Sequence, residues 1–262
     1  MIRVIATDID HTLIDERGVL PLINVEAIQA AAARGIRIVL ATARRRQPTL
    51  EVAQRLGVPV SLVCHNGGRV WDDQDHEILH HTIDLSTARR MAVLADQHNL
   101  PFIFTIDEIN LYNARVSHGT PSMVLDQTAV PSLLTAVALP PTRIVAQGLE
   151  AATLMIEALG RDQNVHLFQY SRDGELYSAI AAHPQATKEN ALAELCRRWG
   201  CAPGEVLALG DAEADVGMLR WAGVGVAPKG SMPQALAAAN WISPSARLGG
   251  VAVAIHRYAL LG

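Results

Sequence analysis

Val4-Ile5-Ala6-Thr7-Asp8-Ile9-Asp10-His11-Thr12-Leu13 is the stretch on which the reading of this chain turns. Residues 2–6 are apolar apart from Arg3, and the run ends at two aspartates. A short apolar run broken only by Arg3 predicts a strand buried on both faces, as in parallel sheets. Side chains two apart on a strand point the same way, so Asp8 and Asp10 are expected to share one site. The carboxyl edge of such a strand is where open parallel sheets bind ligands. Paired carboxyl groups there can divide labour: the ionised one attacks as a nucleophile, and the protonated one donates to a leaving group. The plainer alternative is a loop with two solvated aspartates and a threonine turn.

Working outward, a helical pattern over 25–34 is stopped by Gly35, and 36–41 forms a second buried strand. A helix covering 51–56 leads to a strand at Val60–Cys64 and a turn at Asn66, Gly67 and Gly68. The last third repeats the alternation. Ala191, Leu192, Leu195, Cys196 and Trp199 mark one helix face at 3.6 spacing. Strands follow at Val206–Leu209, 224–227 and 241–242, with helices over 215–221, 233–239 and 250–260. This order predicts an α/β protein with a Rossmann-like doubly wound parallel sheet as its core. Between the two thirds the character changes. Helices over 86–98 and Leu149–Leu159 alternate with runs at 101–106, Arg143–Gln147 and 176–182, and polar loops lie at 117–119 and 172–174. The expectation is a core domain from residues 1–82 and 184–262, with a second α/β domain, 83–183, inserted into it.

Of the 262 residues, 50% are apolar, enough for a sizeable core, which excludes wholesale disorder. Net charge is −4 and the basic residues are scattered, so no nucleic-acid footprint is expected. Three cysteines, Cys64, Cys196 and Cys201, fit neither a disulfide framework nor a zinc pattern, which suggests a reducing compartment. No stretch reaches the roughly 18 apolar residues of a membrane span. Asp8 interrupts any signal-like N-terminal run, so the expected location is cytoplasmic.

Three further segments follow predicted strands or open helices. Thr42-Ala43-Arg44 follows the second strand, where a hydroxyl and backbone N–H groups can hold phosphate oxygens; an ordinary N-cap is the plain alternative. Lys188 opens a helix behind the candidate cap Thr187, where its charge opposes the macrodipole and suggests a nearby anion. Gly210-Asp211-Ala212-Glu213-Ala214-Asp215 follows a strand, and its acidic residues suit Mg²⁺. Alternatively, Asp211 caps a helix and Asp215 faces solvent.

Together, Asp8-x-Asp10-x-Thr12, Thr42, Lys188 and Gly210-Asp211-x-x-x-Asp215 resemble the haloacid dehalogenase superfamily of phosphohydrolases. Asp215-Val216-Gly217-Met218-Leu219 and the Asn66-Gly67 turn look like the Cof-type subfamily. Only residues 14–20 separate the first motif from its helix, so the large insert resembles a C2 cap of the IIB form. The resemblance implies a Mg²⁺-dependent phosphomonoesterase that acts on a small phosphorylated metabolite through an aspartyl-phosphate. Asp8 would be the nucleophile and Asp10 the acid and base. Thr42, Ala43, Arg44, Asn66, Gly67 and Lys188 would bind the phosphate or substrate. Asp8, Asp10 (through its carbonyl), Asp211 and Asp215 would serve the metal. It implies no nucleic-acid or membrane partner and allows a homodimer. A phosphotransferase such as a sugar phosphomutase, or a catalytically weakened regulatory binding protein, are the alternatives. His11, Ala43 and Ala214 depart from the family's usual Gly, Gly and Asn, and Gly230-Ser231 replaces its usual Asn-Ala.

Overall fold

The structure is a computed structural model and describes residues 1–113, 127–172 and 174–261. Five strands open the chain: β1 (Val4–Thr7), β2 (Arg37–Ala41), β3 (Val60–Cys64), β4 (Arg69–Trp71) and β5 (Glu77–His80). Then come β6 (Phe102–Ile106), β7 (Ile109–Asn113), β8 (Gln127–Val130), β9 (Arg143–Gln147), β10 (His166–Arg172) and β11 (Glu175–Ala182). The last three are β12 (Val206–Leu209), β13 (Val224–Pro228) and β14 (Trp241–Ser243). They form one sheet in the order β14-β13-β12-β1-β2-β3-β4-β5 and a second in the order β10-β11-β9-β6-β7-β8.

Pairing is parallel from β14 through β3, and β4 returns antiparallel to β3. The central strands explain why their sequences are unbroken apolar runs. Ile5, Ile38, Leu40, Leu62, Leu207 and Leu209 pack into one core. Their neighbours Val4, Ala6, Val39, Ala41, Val63, Val206 and Ala208 pack into a second. Bulky side chains therefore fill one face and small ones the other, and both faces are covered by helices. The first core also takes in the helix Leu22–Ala33 and the helix Gly250–Ile255. The second is closed by the helices Lys188–Trp199, Val216–Trp221 and Pro233–Ala238.

The chain divides into two units, Met1–Leu79 with Thr187–Gly262, and His80–Ala186. Unit two has its own core, in which Phe102, Phe104, Ile144 and Ala146 of the sheet meet Met91, Ala95, Ala152 and Met155 of two helices. The loop at 117–119 lies outside the described residues. So does Asp173 in the loop at 172–174.

Several elements differ from expectation. The first strand begins at Val4 and ends at Thr7. The closing helix is α-helical only through Ile255 and widens to a π turn over His256–Leu260. β4, β5, β7, β8, β10 and the helix Leu133–Ala136 were not anticipated. Asn24, fully buried, donates to the Leu13 carbonyl at 3.0 Å and accepts the Ala252 N–H at 3.0 Å. It ties the loop after β1 to the C-terminal helix.

Asp84 opens the helix Leu85–His98 and accepts the Thr87 N–H at 2.9 Å and the Ser86 hydroxyl at 2.5 Å. These bonds, that of Ser86 foremost, hold its carboxyl down at about 2. A carboxylate with a depressed pKa contributes stability above its unfolded value, and that contribution is lost as pH falls through the folded one. Asp84→Ala should therefore cost about 0.5–2 kcal/mol at neutral pH. The difference from the parent should shrink as pH drops from 3.8 through about 2. Denaturant titrations of both proteins across that window check it; a gap that stays constant with pH would contradict the cap.

Candidate active site

β1 lies between β2 and β12, and the chain proceeds outward from it in opposite directions. Loops at the carboxyl ends of β1 and β12 therefore part company and leave a crevice, the usual ligand site of such sheets. Asp8 is the first residue beyond β1, and its N–H bonds to the Leu209 carbonyl of β12 at 2.8 Å. Gly210–Asp215 follows β12, Thr42 follows β2 and the turn His65–Gly67 follows β3. Lys188 is the first residue of its helix, behind Thr187, whose hydroxyl accepts the Asn190 N–H at 3.3 Å.

Four of the predicted residues meet. The Lys188 ammonium, 3% exposed, lies 2.6 Å from Asp8 Oδ1 and 2.6 Å from Asp215 Oδ1. The other Asp215 oxygen accepts the N–H groups of Asp211 and Ala212, both at 2.9 Å. Asp215 is thus fully buried rather than solvated, and it shapes the loop that carries Asp211. Gly210 is needed beside it, because a Cβ there would overlap the Asp215 carboxylate. Asp211 Oδ1 accepts the Thr12 hydroxyl at 2.9 Å, which gives the last residue of the first motif a task that the sequence left unread. The anion suggested by Lys188 at a helix start is thus the protein's own carboxylates.

Carboxylate oxygens of Asp8, Asp211 and Asp215 lie within 4.8 Å of one another. Burial pushes the Asp8 carboxyl up, and Lys188 only partly opposes this. Burial and then Asp215 push Asp211 up to about 6. Burial alone would lower Lys188, but Asp215 and Asp8 outweigh it and raise the ammonium above its ordinary value. Two carboxylates on one ammonium, with half-buried Asp211 beside them, leave an excess of negative charge. An all-oxygen donor set with that excess fits a hard divalent cation.

Asp10 departs from the expectation of a shared site. β1 ends at Thr7, and the Ile9 carbonyl accepts the N–H groups of Leu13 and Ile14 at 3.0 and 2.8 Å. The strand's two-residue alternation stops before Asp10. Its carboxylate meets Arg44 in a two-point pair at 2.8 and 2.6 Å. It is not one of the grouped carboxylates that could hold a metal among the described residues. Arg44, expected to bind phosphate, has its guanidinium on Asp10. Its N–H bonds the Thr42 hydroxyl oxygen at 3.1 Å, and half-buried Ala43 lies between the two.

His11 has φ +60°, a left-handed conformation that glycine adopts without strain, which explains the family's preference at this position. Asn66 and Gly67 are both buried in the turn after β3, as is His65. The Asn66 N–H bonds the Thr42 carbonyl at 2.9 Å, and the His65 N–H bonds the Arg44 carbonyl at 3.0 Å. Ala214 is half-buried beside Asp215.

The profile of haloacid dehalogenase-like hydrolases matches residues 5–255. The chain belongs to this family. A phosphoglycolate phosphatase of Methanoculleus marisnigri is 25% identical over 260 residues, covering 98% of this chain and 97% of that one. The 5-amino-6-(5-phospho-D-ribitylamino)uracil phosphatase YcsE of Bacillus subtilis is 24% identical over 260 residues, covering 99% and 96%. In fold the chain is similar to the solved subclass IIB sugar phosphatase BT4131, with a TM-score of 0.82 at 21% identity over 98% and 99% of the two chains. This haloacid dehalogenase-like hydrolase is an enzyme of the phosphatase type. Among its described residues no helix is long and apolar enough to cross a membrane.

Proposed function

We propose that this hydrolase is a Mg²⁺-dependent phosphomonoesterase of the cytoplasm that cleaves a small phosphorylated metabolite, a sugar phosphate or similar, through an aspartyl-phosphate on Asp8. The observation that carries the reading is the buried Asp8 carboxylate at the end of β1, 2.6 Å from the Lys188 ammonium. Two relatives named for different phosphorylated small molecules support the class of substrate and leave its identity open.

Asp8 attacks phosphorus in line, forming an Oδ–P bond as the P–O bond to the leaving alcohol breaks. The Asp10 carboxyl gives its proton to that alcohol and then takes one from the water that attacks the phosphoryl-aspartate. Inorganic phosphate leaves and Asp8 is restored. Arg44 holds Asp10 as a carboxylate through its two-point contact, so this pair opens when Asp10 takes up the proton it delivers. The Thr42 hydroxyl and the Lys188 ammonium hold the phosphoryl oxygens, and Lys188 favours an ionised Asp8 against the effect of burial. Asp8, the Asp10 carbonyl and Asp211 are the proposed metal ligands, with Asp215 orienting their loop; the bound cation supplies charge neutralisation. Residues 83–183 act as a cap whose closure excludes water and sets specificity.

Phosphate release from an aryl phosphate tests this. Turnover should require Mg²⁺, stop with a chelator and return on re-addition. Release that ignores the chelator would contradict the metal assignment. Turnover only in the presence of a phosphoryl acceptor other than water would favour the phosphotransferase.

A further inference from the structure

The turn after β3 holds three consecutive residues at positive φ: His65 at +53°, Asn66 at +56° and Gly67 at +104°. Two of them carry side chains, which rarely adopt this conformation, and such strain persists only where surrounding structure enforces it. Enforcement is visible on both sides. Toward β2, the N–H groups of His65 and Asn66 bond the carbonyls of Arg44 and Thr42 at 3.0 and 2.9 Å. Toward the lysine helix, the Gly67 backbone lies flat against Thr187. A Cβ added at Gly67 would overlap the Thr187 carbonyl oxygen and come within 2.5 Å of its carbon and 2.8 Å of its nitrogen. Thr187 caps the helix whose first residue is Lys188.

We infer that the His65–Gly67 turn is a positioning element for Lys188. It acts as a spacer of fixed thickness between the Thr42–Arg44 loop and the start of the lysine helix. Asn66 and Gly67 then serve through their backbones rather than as direct substrate contacts, which revises what the motif suggested. The link is short: Gly67 touches Thr187, and the next residue places its ammonium on Asp8 and Asp215. A methyl group in that contact must push Thr187 outward, and the ammonium moves with it. Misplacement of a catalytic group by about 1 Å can cost on the order of 100-fold in rate.

This rests on the phosphatase reading above, and the experiment separates the two. Parent, Gly67→Ala and Leu56→Ala are compared with an aryl phosphate and Mg²⁺ at a temperature below all three unfolding transitions. Leu56, fully buried in the first core, serves as a control for destabilisation alone. An inactive parent would defeat the phosphatase reading itself. With an active parent, Gly67→Ala should lose kcat by about 100-fold, with a smaller change in KM, while Leu56→Ala stays within about threefold. If both variants lose kcat alike, or if folded Gly67→Ala keeps parental kcat, the positioning role is wrong. Asn66→Gly adds a variant without the clash, since it only loosens the turn. It should lower kcat by about 3–10-fold with KM held. A raised KM at unchanged kcat would instead make Asn66 a substrate contact and overturn the inference.

Discussion

Asp8→Asn should reduce kcat by about 10⁴-fold or more while leaving the protein folded. The amide matches the carboxylate in size but cannot attack phosphorus. Nor should the fold suffer, because the charge removed comes from a cluster already rich in carboxylates. Asp8 is buried and shares Lys188 with Asp215, so the ammonium keeps one close partner after the substitution. Unfolding curves and phosphate release measured on one preparation check both halves. A folded Asp8→Asn protein with near-parental turnover would remove Asp8 from the chemistry.

Lys188→Met should be damaging in two separable ways. The ammonium is 3% exposed and sits between two carboxylates at 2.6 Å each, with Asp211 in the same group. Removing one member of a buried ion pair leaves uncompensated charge and costs about 3–5 kcal/mol. Those carboxyl groups are pushed up by burial, Asp211 to about 6, so the folded state binds protons more readily than the unfolded chain. A raised carboxyl pKa makes the penalty complete above the folded value and relieves it as pH falls toward the unfolded one. The deficit should therefore narrow as pH is lowered through about 6 and should also narrow when Mg²⁺ is added. Activity should fall by about 100-fold or more even where the protein is fully folded, since a donor aimed at the transferring group is gone. Urea unfolding at two pH values, with and without Mg²⁺, reads the first effect, and steady-state turnover the second. Parental stability in a metal-free Lys188→Met protein would refute the charge account.

The sequence announces some of these features more clearly than others, for physical reasons. Val60–Cys64 and Val206–Leu209 are strands whose two faces are both buried, so their apolar runs leave little ambiguity. Asp8, Thr42, Lys188 and Asp211 stand at the ends of such elements, where motif and topology agree. β4 and β5 were hidden because they are short and half polar, with Arg69 paired to Glu77 across the hairpin. The Asp10–Arg44 pair joins residues 34 apart, and no local periodicity reports it. Asn24 resembles an ordinary helical asparagine until the fold brings Leu13 and Ala252 to it. Even Lys188 was legible only in part: its place at a helix start signalled an anion, but the identity of that anion is tertiary.

The most direct test of the central claim is a covalent trap. The enzyme is mixed with an aryl phosphate and Mg²⁺, quenched in acid during turnover and digested with trypsin, and the peptide of residues 4–17 is examined by mass spectrometry. One added phosphoryl group, localised to Asp8, sensitive to hydroxylamine and absent from Asp8→Asn, is the predicted result. Turnover without any phosphorylated form of that peptide, or with the label on Asp10 or Asp15, would contradict the account.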